Sequence, residues 1–138
     1  MAFESGLVTY LETVTALTNI VSTRIYPLIA PQGSIYPYLI YLKASGSTEH
    51  HMTSASDLRL DTYQFDCYGT YTQVKSVEDA LRGALDGYRG AAGTETIRVC
   101  HLQSVRDSHE PDRIGSATGN FRVSLDFLIG YVEDVPTF

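Results

Sequence analysis

Between Asp57 and Leu85 an alternating segment passes through one glycine straight into an amphipathic helix. In Thr62-Tyr63-Gln64-Phe65-Asp66-Cys67 the apolar Tyr63, Phe65 and Cys67 stand two apart with polar residues between them. That is the period of a strand with one buried and one wet face. After Tyr68-Gly69, the segment Thr70-Tyr71-Thr72-Gln73 has the spacing of a capping box. Val74, Val77, Leu81, Ala84, Leu85 and Tyr88 then recur at helical intervals. Few chain classes accommodate a strand that turns into a helix this abruptly, and a helix layered on a sheet is the simplest of them.

The remaining elements follow from periodicity. Phe3, Leu7, Leu11, Val14, Leu17 and Val21 mark the apolar stripe of a first helix. Residues 22–34, with Pro27, Pro31 and Gly33, read as an irregular connector containing at most a short extended piece at Arg24-Ile25-Tyr26. Residues 35–42 are apolar on both faces and predict a strand, with Pro37 confined to its start or to an edge. A polar stretch from Ala44 to Ser56 reads as an exposed hairpin loop before the Asp57 strand. Gly87, Gly90 and Gly93 punctuate the exit from the second helix. Thr96 to Leu102 forms a third strand, residues 106–120 a second polar loop, and Phe121 to Tyr131 alternates more cleanly than any other segment. The tail after Val132 reads as extended or disordered. The expected fold is one α+β domain over residues 1–138, a mainly antiparallel four-stranded sheet with two helices on one face, in the order α-β-β-α-β-β.

Charge and cysteine content exclude several functions. Sixteen acidic against ten basic residues give a net charge of -6, the wrong sign for binding duplex DNA through its phosphates. Cys67 and Cys100 are the only cysteines, and both fall in predicted strands, where buried reduced thiols are expected. No basic region followed by an apolar core opens the chain and no apolar run reaches spanning length, so a soluble protein made in the cytoplasm, with no membrane partner, is expected. Ten tyrosines and no tryptophan suit surfaces that are half apolar and half wet.

The candidate chemical clusters are weak. Glu49 with His50-His51, and His109-Glu110 with Asp112, carry metal-ligand residue types without the i, i+4 spacing that puts two ligands on one helix face. Cys100 and His101 are strand neighbours and face opposite sides, so they form no thiolate pair, although Cys67 could approach His101 across the sheet. The glycines at 87, 90 and 93 end a helix, where the dipole repels anions, so they form no phosphate cradle. Asp57 and Asp61 share one face of their strand and Asp66 takes the other. These residues predict neither a catalytic site nor a metal or cofactor site.

Taken in order, the first helix, Pro31-Gln32-Gly33, Tyr36-Pro37-Tyr38-Leu39-Ile40-Tyr41 and the run Leu60 to Gly69 leading into the second helix resemble the small tail-completion proteins of tailed bacteriophages. The strand ending near Val105-Arg106-Asp107, a variable loop and the closing strand Phe121 to Tyr131 fit as well. The likeness spans about Phe3 to Val132, and the specific resemblance is to tail terminators of long, non-contractile tails. It implies a non-enzymatic virion protein at the tail-head junction, assembled in the host cytoplasm. Six copies would form a ring that caps the tail tube, stops its growth and joins the tail to a head connector or stopper protein, with DNA passing through non-specifically.

On that reading, the interface candidates are Glu49, His50, His51 and Met52 in the first loop and His109, Glu110, Asp112 and Arg113 in the second. Asp61, Gln64 and Asp66 are the candidates to face the lumen, where acidic groups would let DNA slide without sticking. Another neck or head-completion connector is the neighbouring alternative. A small ligand-binding domain or enzyme on a ferredoxin-like sheet, using the Cys67/His101 region or the His109-Glu110-Asp112 loop, is the alternative from a different class.

Overall fold

A computed structural model describes residues 2–29, 31, 37–49, 57–93, 95–109 and 121–133. In chain order these form α1 (Ala2–Glu12), α2 (Thr15–Val21), β1 (Ile25–Pro27), β2 (Tyr38–Glu49), β3 (Asp57–Gly69), α3 (Tyr71–Leu85), β4 (Gly90–Ala92), β5 (Glu95–His109) and β6 (Phe121–Glu133). The strands make one curled six-stranded sheet in the order β1-β2-β3-β6-β5-β4. β1 runs parallel to β2, and every other pair is antiparallel.

This corrects the expected fold: the sheet has six strands and is mixed, and three described helices replace two. The single first helix breaks at Thr13-Val14. There the Thr13 hydroxyl donates to the Tyr10 carbonyl at 2.6 Å, and Val14 adopts an extended conformation. Consecutive β-branched residues resist the helix, and the hydroxyl competes for a backbone acceptor. The two extra strands have three residues each, too few for a period to register. β1 exists because β2 offers it a free edge opposite Leu39, Ile40 and Tyr41, and β4 pairs in the same way with β5 at Glu95–Ile97.

The strands also outrun their predicted ends. β2 continues through Glu49 and β5 through His109, because antiparallel partners satisfy backbone groups that polar side chains alone suggested belonged to loops. The sheet therefore takes up part of each expected loop, and residues 50–56 and 110–120 lie outside the described residues.

The capping box forms as read. Gln73 N donates to Thr70 Oγ1 at 3.4 Å, and Thr70 N donates to Gln73 Oε1 at 3.0 Å. One face of α3 then buries Val74, Val77, Leu81 and Leu85. Leu7, Leu11, Leu17 and Val21 bury the stripe of α1 and α2. Against these helices the sheet presents Leu39, Tyr41, Tyr63, Phe65, Cys67 and alternate residues of β6 from Val123 to Tyr131. Phe65 and Phe127 meet edge to face at 5.8 Å, each burial contributing about 1.5–3 kcal/mol. Every sheet residue of this core lies on one face, so all three helices cover the same side.

α1 crosses the sheet edge through two glycines. A Cβ on Gly6 would fall 2.1 Å from the Ala92 carbonyl oxygen, and one on Gly93 would fall 2.6 Å from the Gly6 Cα. Only residues without side chains permit this approach.

Candidate assembly interface

The face of the sheet opposite the helices carries three rows of side chains, fixed by the ladder register. Tyr38, Tyr68, Arg122 and Ser108 form one row, Ile40, Asp66, Ser124 and Arg106 the next, and Leu42, Gln64, Asp126 and Ser104 the third. Its charged side chains are hydrogen-bonded within the face, and Ile40, Asp66 and Ser124 of the middle row are buried. Gln64 donates to both oxygens of Asp66 at 2.9 and 3.2 Å. Arg106 reaches the two Asp126 oxygens at 2.8 and 3.4 Å, and Ser104 Oγ donates to Asp126 at 2.9 Å. The hydrogen bond from Arg106 is the main cause that lowers the Asp126 carboxyl below its ordinary value, and the same contact raises the guanidinium. Arg122 donates to Ser108 Oγ at 3.0 Å, and Tyr38 stacks on Tyr68 at 5.3 Å. This wall holds one ion pair, Arg106 with Asp126, and is aromatic at one end.

Asp61 sits elsewhere. It lies on the helix-covered face with no exposed surface, 3.7 Å from Lys43 Nζ, and accepts a hydrogen bond from Tyr131 Oη at 3.1 Å. Its odd position in the strand, shared with Tyr63 and Phe65, dictates that side.

The sheet's borders are only partly covered. β1 covers β2 opposite Leu39–Tyr41, and β4 covers β5 opposite Glu95–Ile97. Gly87 N donating to Cys100 O, and Leu102 N donating to Asp86 Oδ1, extend the second cover by a few residues. Among the described residues no strand flanks the outer side of β2 beyond Tyr41 or of β5 beyond Leu102. In register these open stretches lie at opposite ends of the sheet, since β2 beyond Tyr41 pairs back to Leu58 while β5 beyond Leu102 pairs toward Phe121. Beside the open β5 stretch, Tyr71, Val74, Phe121 and Val123 line a cavity of about 290 Å³ rimmed by Lys75, Asp107, Ser108 and Arg122.

Helices on one face of the sheet and, among the described residues, partly open borders suit an assembly subunit, and the comparisons with known proteins agree. The family model described as tail completion protein gp17 matches residues 5–131. The chain belongs to that tail-completion family. It is a structural phage tail protein. Its fold is similar to that of a chain in the virion of a native gene transfer agent (GTA) particle, with a TM-score of 0.72 at 13% identity, covering 92% of each chain. No curated protein matches it in sequence.

As a tail-completion protein, the chain arranges the sequence candidates unevenly. Gln64 and Asp66 share the helix-free face, hydrogen-bonded to each other, whereas Asp61 is separated from them by the sheet itself. Glu49 and His109 end β2 and β5. His50, His51, Met52, Glu110, Asp112 and Arg113 lie outside the described residues.

Cys67 and His101 are not brought together. Cys67 is level with Val123 and Asp107, while His101 is level with Leu128 and Thr62 and is exposed. Burial pushes both thiols up to about 12, with Asp66 adding to Cys67 and Asp86 to Cys100, so neither is a nucleophile at neutral pH. Among the described residues no three His, Cys, Asp or Glu side chains group closely enough to hold a metal ion.

The cluster that Arg106 and Ser104 form with Asp126 was not legible in sequence. β5 has bulges between Ile97 and Val99 and between Leu102 and Ser104, and each switches which residues face the helices. Alternation in β6 placed Asp126 on the wet face but could not name its partner.

Proposed function

We propose that this tail-completion protein forms the ring that caps the tail tube, stops its growth and joins the tail to the head connector, with DNA passing through. The observation that carries this reading is that, among the described residues, both outer strands of the sheet, β2 and β5, keep part of their border uncovered. Two different borders, left open by the described residues, suit head-to-tail contacts between identical copies, and such contacts close into rings when the rotation closes. The helix-free face supports DNA passage, because its basic groups Arg106 and Arg122 are engaged by Asp126 and Ser108 and the chain as a whole is acidic. A wall built this way offers few free cations to phosphates. The occurrence of the fold in a gene transfer agent virion is in keeping with a place in such a particle.

Negative-stain imaging of the purified protein, alone and with tail tubes made in its absence, tests the proposal. Rings seated on tube ends, and tubes of uncontrolled length when the protein is missing, are the expected results. No ring and no binding to tube ends would refute it.

A further inference from the structure

Four large apolar side chains are exposed among the described residues: Leu28, Ile29, Tyr71 and Val99. The first two are adjacent and the most exposed, at 73% and 78%. They follow β1 on a backbone that holds Leu28 at φ +63°, a left-handed conformation costly for a residue with a side chain. Two hydrogen bonds fix this turn, Leu28 N to Tyr41 O at 2.9 Å and Ile29 N to Pro27 O at 2.6 Å. Among the described residues the strain gains no contact for these side chains, since it directs two aliphatic groups outward.

On the other border of the sheet, Tyr71 stands at the mouth of the cavity formed with Val74, Phe121 and Val123. Its volume of about 290 Å³ suits two aliphatic side chains, because a cavity of roughly 150 Å³ already admits a benzene-sized guest.

We propose that the Leu28-Ile29 pair of one copy inserts into the Tyr71/Phe121 cavity of the next, as the head-to-tail contact of the ring. This deepens the proposed function and rests on it. The ladder register supplies the argument for closure. The knob is level with Tyr41, hence with Phe65, Leu125 and Val105 across the sheet. The cavity is level with Val123 and Asp107, two residues away along the strands, or about 7 Å. Knob and cavity therefore face outward from opposite borders at nearly one height. A contact between them repeats mainly by rotation, which closes a ring, whereas a large axial offset would grow a filament. Lys75 and Asp107, bridged at 2.6 Å on the rim, close off the polar side of the cavity.

The test uses two variants of the full chain and their mixture. Leu28→Asp/Ile29→Asp removes the knob at exposed positions and leaves the cavity intact, whereas Ser108→Trp fills the cavity mouth and leaves the knob intact. Circular dichroism and thermal melting establish that each is folded. Sedimentation and negative stain, with and without tail tubes, then read assembly. Each variant alone should lose ring formation, with self-association weakened roughly a hundredfold or more by the loss of two buried aliphatic groups. An equimolar mixture, which contains one intact knob and one intact cavity, should give a dimer and nothing larger.

Rings from Leu28→Asp/Ile29→Asp that match wild type overturn the contact while leaving the ring reading standing. Rings that form from this variant but fail to seat on tubes assign the knob to the tube protein and likewise overturn it. Absence of rings in the wild type under every condition defeats the ring reading, and the contact with it.

Discussion

Replacing Gly6 with alanine opposes two effects of known size. Gly6 lies within α1, where alanine is favoured over glycine by about 1 kcal/mol, so helix propensity alone predicts a more stable protein. Packing predicts the reverse. The added methyl would lie 2.1 Å from the Ala92 oxygen and 2.7 Å from its carbonyl carbon, more than about 1 Å inside ordinary van der Waals contact. Both atoms belong to backbone, so no side chain can rotate away. α1 must lift from β4, at a cost of about 1–3 kcal/mol or more for overpacking.

The overpacking cost cancels the helix gain and leaves a net loss of up to about 2 kcal/mol, or a melting temperature lower by up to about 8 °C. Gly83→Ala is the control. It makes the same substitution in α3, where nothing lies within 4 Å of the new methyl, and should raise stability by about 0.5–1 kcal/mol. Urea unfolding of both variants, with unchanged dependence on denaturant, measures the difference. A Gly6→Ala protein stabilised as much as Gly83→Ala would refute the close crossing of α1 over β4.

Other outcomes follow from the same coordinates. Thr70→Ala should cost about 0.5–1 kcal/mol in urea unfolding, and adding Gln73→Ala should cost less than the sum of the two, because the capping bonds are reciprocal. Arg106→Ala should cost under about 1 kcal/mol at pH 7, since the guanidinium is half exposed. Asp126 has a folded value below its unfolded one, so this stabilisation is present above about pH 4 and is lost as pH falls through the folded value. Unfolding curves of variant and wild type should therefore converge in acid, and a gap that widens there would contradict the pairing. Cys67 and Cys100, buried with thiols at about 12, should resist a thiol reagent at pH 8 in the folded protein and react in denaturant. Rapid labelling of either native thiol would show that the core opens there.

Local signals carried much of this structure. The capping box, the helix after Gly69, the alternation of β3 and β6 and the buried thiols all rest on contacts within a few residues or on a strict period, and each forms as read. The family resemblance rested on the same elements in the same order, and the tail-completion family spans nearly that stretch.

What the sequence could not determine was set by partners distant in the chain. β1 and β4 are strands only because β2 and β5 present free backbone to them, and three residues hold no period of their own. The face of each β5 residue depends on two bulges that alternation cannot register. Strand parity separates Asp61 from Gln64 and Asp66, but only tertiary packing supplies the partners, Lys43 and Tyr131, that hold Asp61 beneath the helices. The exposed Leu28-Ile29 pair and the cavity across the sheet are tertiary facts as well: exposure and relative height are properties of the assembled sheet, while sequence specifies only that both segments are apolar.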